Sequence, residues 1–166
     1  MERDLFRKRI SEIPVCPYSL LQDLLPDTEY SFRIGKNPKV YNFKTAPKDL
    51  KNGLKFVVGG DADQTRKLFL KMNETVVKKD PLFYVIGGDI AYAVTPKLNI
   101  DALTFNQWMS FFSIWKKQMV TKQRRVIPLI VLPGNHDILD KNAALYRTLF
   151  PRDKKSFTDL LILAII

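Results

Sequence analysis

The sequence is short of the residues that most often build small active sites. It holds one histidine, His136, and one cysteine, Cys16. A single cysteine excludes an intrachain disulfide and any cysteine-based zinc cluster. Cys16, beside Pro17, reads as a small apolar filler. No run approaches the roughly 20 apolar residues that span a bilayer. The longest apolar tail, Leu160 to Ile166, is far too short and reads as a core strand. The first nine residues, Met-Glu-Arg-Asp-Leu-Phe-Arg-Lys-Arg, lack the apolar stretch of a signal peptide. Acid is scarce as well: 17 Asp and Glu stand against 27 Lys and Arg, for a net charge of +10. Such a surface attracts anions in general. The basic residues are spread along the chain, however, without the arginine–aromatic interleaving of a nucleic-acid platform. A solvated basic surface is expected, with neither nucleic acid nor membrane as partner.

What is present is an ordinary apolar fraction, 46%, in 166 residues. That is enough for one respectable core, or for one domain and a piece of another. Residues 1 to 14 are charged and unpatterned, a frayed lead-in. From Tyr18 to about Ala46 the texture is all-β. Leu24, Thr28 and Tyr30 alternate onto related faces, with Tyr30 placed to hydrogen-bond back to the preceding turn. Such a tyrosine corner marks Greek-key sandwiches of the fibronectin type III kind. Asn37-Pro38 turns the chain, and Val40 to Thr45 reads as a closing strand. About three strands are expected here, where a complete sandwich has about seven.

Residues 47–53 have the composition of a linker. Beyond them strands and helices alternate. Leu54 to Val58, Leu82 to Ile86 and Ile127 to Leu132 read as strands. Gln64 to Lys79 reads as a helix with Leu68, Met72 and Val76 on its apolar stripe, stopped by Asp80-Pro81. A longer helix is expected from about Asp101 to Thr121, where Phe105, Trp108, Met109, Phe112, Trp115 and Met119 recur at helical spacing as core contacts. A short helix is expected from about Lys141 to Leu149. The alternation predicts a mostly parallel sheet with helices packed on it.

All three strands end alike, in glycine and then a polar side chain: Gly60-Asp61, Gly88-Asp89, and Gly134-Asn135-His136-Asp137. In open α/β sheets, sites form outside the carboxyl ends of the strands. Neighbouring strands lie under about 5 Å apart, so three such ends can bring carboxylates, an amide and an imidazole into one crevice. Convergent carboxylates repel each other unless a cation sits between them. Oxygen donors beside an imidazole suit first-row divalent or ferric metals, and metal pairs serve phosphoester cleavage.

The set Gly60-Asp61, Gly88-Asp89-Ile-Ala-Tyr92 and Gly134-Asn-His-Asp137 resembles the first three motif blocks of the calcineurin-like metallophosphoesterases. The spacing of Tyr92 resembles the purple acid phosphatase branch. The leader ending Tyr41-Asn-Phe-Lys-Thr-Ala-Pro47 is similar to the end of the fibronectin-like domain that precedes the catalytic domain there. The resemblance runs from about Leu20 to Phe157. It implies an α/β (or α+β) chain: a partial fibronectin III-like sandwich in residues 1–46, then the first half of a metallophosphoesterase β-sandwich flanked by helices in residues 54–166. It implies a dinuclear metal centre, iron paired with zinc, iron or manganese, acting on a phosphate ester substrate. Asp61 and Tyr92 would bind the first metal, Asp89 would bridge, and Asn135 would bind the second. His136 would stand beside the scissile phosphate, with Asp137 orienting it. The implied reaction is attack of a metal-activated hydroxide on a phosphomonoester. Phosphodiester or nucleotide substrates, and a non-catalytic remnant, are the alternatives.

The chain also departs from that pattern. Asp63 stands where other metallophosphoesterases have a ligating histidine; it reads here as a helix N-cap. The later blocks, which supply the remaining histidines, have no counterpart, and the chain from Thr158 onward does not continue the family pattern. An incomplete, weak or inactive enzyme is therefore expected.

Overall fold

The structure, a computed structural model, describes residues 19, 21–63, 65–93, 102–138 and 143–150. The expected lead-in of residues 1–14 and the apolar tail lie outside them.

Alternating aromatic and polar residues form the first element, an antiparallel hairpin. Strand β1 (Glu29–Phe32) pairs with β2 (Tyr41–Lys44), with Tyr30 opposite Phe43 and Phe32 opposite Tyr41. These cross-strand rings stack at 5.6 and 5.8 Å, the aromatic pairing that stabilises small sheets. Gly35, at φ +53°, makes the turn, and the Asn37 side chain accepts from the Lys39 amide at 3.0 Å. Tyr30 does reach back to the preceding turn: its hydroxyl accepts the Leu25 N–H at 2.8 Å. Two strands are present among the described residues before the linker, against the three expected.

The second part is the alternating unit. Strands β3 (Val57–Gly59), β4 (Tyr84–Gly87) and β5 (Leu129–Leu132) form a parallel sheet in the order β3-β4-β5. Helix α1 (Arg66–Lys79) connects β3 to β4, α2 (Ala102–Gln118) lies between β4 and β5, and α3 (Ala144–Leu149) follows β5. The parallel sheet with packed helices is as expected. The strands are shorter than expected at their N-terminal ends, where Lys55, Phe83 and Pro128 contribute backbone acceptors outside the regular ladder.

Because a strand alternates its faces, the register assigns sides cleanly. Val57, Tyr84 and Leu129 share one face, continued by Ile86 and Val131, and the helices cover it. Phe69 of α1 stacks on Phe111 of α2 at 5.3 Å, and Trp115 packs on Tyr84 at 5.5 Å. Trp108 joins α2 to Phe150 after α3. Phe69, Trp108, Phe111, Trp115, Met119, Ile127 and Leu129 are all fully buried.

The buried stripe of α1 keeps only Val76 of the three residues the sequence suggested. Phe69, Asn73 and Val76 are buried, whereas Leu68 and Met72 are exposed. Buried Asn73 explains the shift: its amide donates to Gln118 on α2 at 3.0 Å, so a polar residue belongs to the helix–helix seam. On α2 the expected Trp108, Phe112 and Trp115 are buried, as is Met119 just past its end, and Phe111 joins them. Helix α1 ends as expected: Asp80 takes the left-handed conformation at φ 50° and caps with its N–H on Val77 O, and Pro81 follows. At its start the cap is Thr65, with no side-chain cap hydrogen bond, and Asp63 serves another purpose described below. No helix among the described residues is long and apolar enough to cross a membrane.

Candidate metal centre

Each strand of the parallel sheet ends in a sharp corner, and the three corners are tied to one another. The first is joined to the second by backbone: Asp61 N–H donates to Gly88 O at 3.1 Å and Ala62 N–H to Asp89 O at 3.0 Å. The second is joined to the third by a reciprocal pair of carboxylates. Asp89 Oδ1 accepts the His136 N–H at 2.9 Å, and Asp137 accepts the Ile90 N–H at 3.1 Å. Asp137 also takes the Gly134 N–H at 2.9 Å, closing the short 3₁₀ turn Asn135–Asp137.

This knitting requires close backbone approach. A Cβ placed on Gly134 would lie 2.1 Å from Asp89 Oδ1 and 2.3 Å from Asp89 N. Gly88 sits at φ +104°, and its Cβ would lie 3.0 Å from the Gly134 Cα. Only glycine fits such contacts. Asp61, Asp89 and Tyr92 adopt φ near +50° (48°, 50° and 48°). Left-handed residues of this kind cost about 1–3 kcal/mol each when unsupported, and cluster where a site needs its side chains aimed.

The candidate residues meet as follows. The Tyr92 hydroxyl donates to Asp61 Oδ1 in a short hydrogen bond. The Tyr92 ring packs against the His136 imidazole with centroids 4.8 Å apart. Partial burial pushes the Tyr92 phenol above its ordinary value, and the hydrogen bond to Asp61 raises it further. The negative charges of Asp61, Asp89 and Asp137 act in the same direction. Asn135 is exposed on the 3₁₀ turn, beside the half-buried His136. Asp137 is buried, and desolvation raises its carboxyl despite the amide donors that favour the charged form. Its amide contacts fix the loop that carries His136, so it acts on that residue through the backbone.

Asp63 departs from expectation. Its side chain is inaccessible to solvent and makes a charge contact with Arg66 Nη2 at 3.0 Å, without hydrogen-bond alignment. Arg66 in turn donates to Ser110 on α2 at 2.5 Å. Burial lifts the Asp63 carboxyl to about 6 against the opposing pull of Arg66. The residue anchors the start of α1 to α2 and does not cap the helix.

The donor set suits a hard metal ion in part. The carboxylates of Asp61 and Asp89 lie near the Tyr92 phenol, with Asn135 on the adjoining turn, and repulsion among carboxylates is what a cation relieves. Among the described residues, no three of His, Cys, Asp and Glu stand close enough to hold a metal by themselves. The set depends on Tyr92 and Asn135, and a full coordination shell needs further donors.

Oxygen donors gathered at the carboxyl edge of a parallel α/β sheet stand where such sheets place their sites. The family model for calcineurin-like phosphoesterases matches residues 49–166, so the chain belongs to that family. The match begins within the linker and takes in all three corners. The family consists of metal-dependent phosphoester hydrolases, which generally use a dinuclear metal centre. No curated protein and no solved structure matches the chain.

Proposed function

We propose that the chain carries the first half of a phosphomonoesterase site of the purple acid phosphatase type. The observation that supports this reading best is the pairing of Tyr92 with Asp61. Tyr92 is the residue that separates this branch from other calcineurin-like phosphoesterases, and its phenol oxygen lies against the carboxylate with which it would share a metal. The fibronectin III-like reading of the leader is kept with it, supported by the Tyr30 hydroxyl bond to the Leu25 amide.

In this reading Asp61 and Tyr92 would hold ferric iron, Asp89 would serve both metals, and Asn135 would serve the second, which would be zinc, iron or manganese. Bound metals supply charge neutralisation at the phosphate and a water more acidic than bulk. His136, braced by the Tyr92 ring and by its own N–H on Asp89, is set to meet the phosphate or the leaving oxygen. Asp137 keeps the His136 loop in register. To bind iron the Tyr92 phenol would have to lose its proton, and the Asp61 carboxylate that now accepts its hydrogen bond would turn to the metal instead.

Because the described residues offer only part of a coordination shell, turnover as isolated is expected to be feeble. The test is to load the purified chain with iron and zinc and follow two readouts. Visible absorption from a tyrosinate–iron bond should appear and vanish in Tyr92→Phe. Chromogenic phosphomonoester hydrolysis should be slow, should exceed phosphodiester hydrolysis, and should be lost in Asp89→Ala. A chain that binds no iron would instead favour a non-catalytic remnant.

A further inference from the structure

The cations look scattered along the sequence, but the fold brings two acid-free stretches together. Residues 30–48, which include β2 and the hairpin turn, hold no Asp or Glu, and neither do residues 102–136. The two stretches meet ahead of β5, where Asn42 donates its N–H to Arg124 O and accepts from Val126 N–H. Beside this junction lies an open groove of about 580 Å³. It is lined by Lys39 from the hairpin, Ser113, Lys116 and Lys117 from α2, and Val120 just beyond the helix.

Three ammonium groups thus stand on two walls, with no carboxylate among the lining residues. All three lysines are exposed, and none is in a salt bridge among the described residues. By contrast, Lys44 of β2 is paired with Asp27, and Arg125 with Asp80. Lys39 is already positioned: its ammonium lies 4.8 Å from the centroid of the buried Tyr41 ring. That cation–π contact reduces the ordering a ligand must impose. The negative end of the α2 dipole is equivalent to about half a charge, too little to neutralise three ammoniums. The turn after Val120 adds exposed Lys122 and Arg124 and no acid.

The lining also selects among anions. Planar carboxylates favour the fork of arginine, whereas lysine meets phosphate as a point charge, and no arginine lines the groove among the described residues. A single phosphate reaches one wall. A short chain of phosphates, charged at every unit, reaches both and can offer an oxygen to the Ser113 hydroxyl. Nucleic acid is a poorer match, because none of the described lining residues is aromatic and bases have nothing to stack on. Ile127 N–H donates to Met119 O and Val120 bridges to Val126, so the groove sits at the amino end of β5, away from His136.

We propose that this groove is an anion site separate from the candidate metal centre, and that it takes a linear oligophosphate between Lys39 and the Lys116–Lys117 pair. The site does not rest on the phosphatase reading.

The test is calorimetry on the full, metal-free chain with sodium tripolyphosphate as titrant, at about 0.1 M salt, where charges more than about 10 Å apart are screened. One molecule should bind per chain. Lys39→Gln with Lys117→Gln should weaken binding by about tenfold or more, the scale of lost charge-assisted contacts. Lys67→Gln with Lys71→Gln, on the exposed side of α1, removes the same charge and should change affinity by less than about twofold. All four lysines are exposed, so the core is untouched in both variants. Equal losses in the two variants would overturn the proposal, because binding would then follow net charge alone. So would orthophosphate binding as tightly as tripolyphosphate, which would reduce the site to a single-phosphate contact. A single-stranded oligonucleotide that displaces tripolyphosphate at equal phosphate concentration would make nucleic acid the occupant and overturn the oligophosphate assignment. Absence of tripolyphosphate binding would end the proposal outright.

Discussion

The two ends of the parallel sheet are built on opposite principles. At the carboxyl end, the backbone is bent into left-handed corners, glycines admit sub-contact approaches, and carboxylates are drawn together. At the amino end, the helices finish in lysines: Lys78 and Lys79 close α1, and Lys116 and Lys117 close α2. Those cations complement the negative ends of the helix dipoles and lie in solvent. Lys55 donates to the Lys79 carbonyl at 3.1 Å, and Arg125 pairs with Asp80 and Pro81 O. The foot of the sheet satisfies what secondary structure leaves open. The lip accumulates cost that secondary structure alone would not choose, and such cost is retained where side chains must be aimed at something.

The contrast can be broken most severely at Gly134. Gly134→Ala places a Cβ inside the contact distance of Asp89 Oδ1 and N, so the second and third corners must separate. A loss of about 3 kcal/mol or more is expected, in the class of overpacked or strained positions, read from the midpoint of denaturant unfolding. Little change would show that the corners are loosely joined. At the foot, Arg125→Ala removes a buried guanidinium from Asp80 and Pro81 O, while Asp80 remains in water. About 1.5–3 kcal/mol is expected, the scale of hydrogen bonds to a charged group, in the same measurement and with metal uptake at the lip unchanged. A loss of metal uptake would join the two ends that the structure keeps apart.

The smallest effect concerns pH. Asp63 has its carboxyl raised from 3.8 to about 6 by burial. A raised acid binds its proton more tightly when folded. Its contribution to stability is therefore complete below about pH 4 and is lost as pH rises through 6. Asp63→Asn removes that dependence, so its thermal midpoint relative to the parent should climb between pH 4 and pH 6 and then level off. A constant difference across that range would place the titration elsewhere.

Much of the molecule was legible from the order of residues. The β–α alternation follows from periodicity, and the corners were visible because an ending that is usually a mere turn or cap recurs at all three strand ends. The site residues Asp61, Asp89, Tyr92 and His136 come together where the strand ends predicted. What was not legible depends on partners distant in sequence. Leu68 and Met72 look like the buried stripe of α1 until Gln118, on another helix, gives Asn73 a reason to be inside. Asp63 looks like a cap because caps are local, and its Arg66–Ser110 connection to α2 is not. Asp137 sits beside the only histidine, yet its amide contacts reach to Ile90, 47 residues away.

The hairpin adds one consequence. Asn42 on β2 donates its N–H to Arg124 O at 3.0 Å and accepts the Val126 N–H at 2.7 Å, just ahead of β5. A segment that composition separates by a linker thus completes the hydrogen bonding of the strand leading to His136. Unzipping the hairpin would free the Val126 amide to exchange with solvent, so proton exchange at that one amide reports whether the two parts of the chain melt together or in sequence.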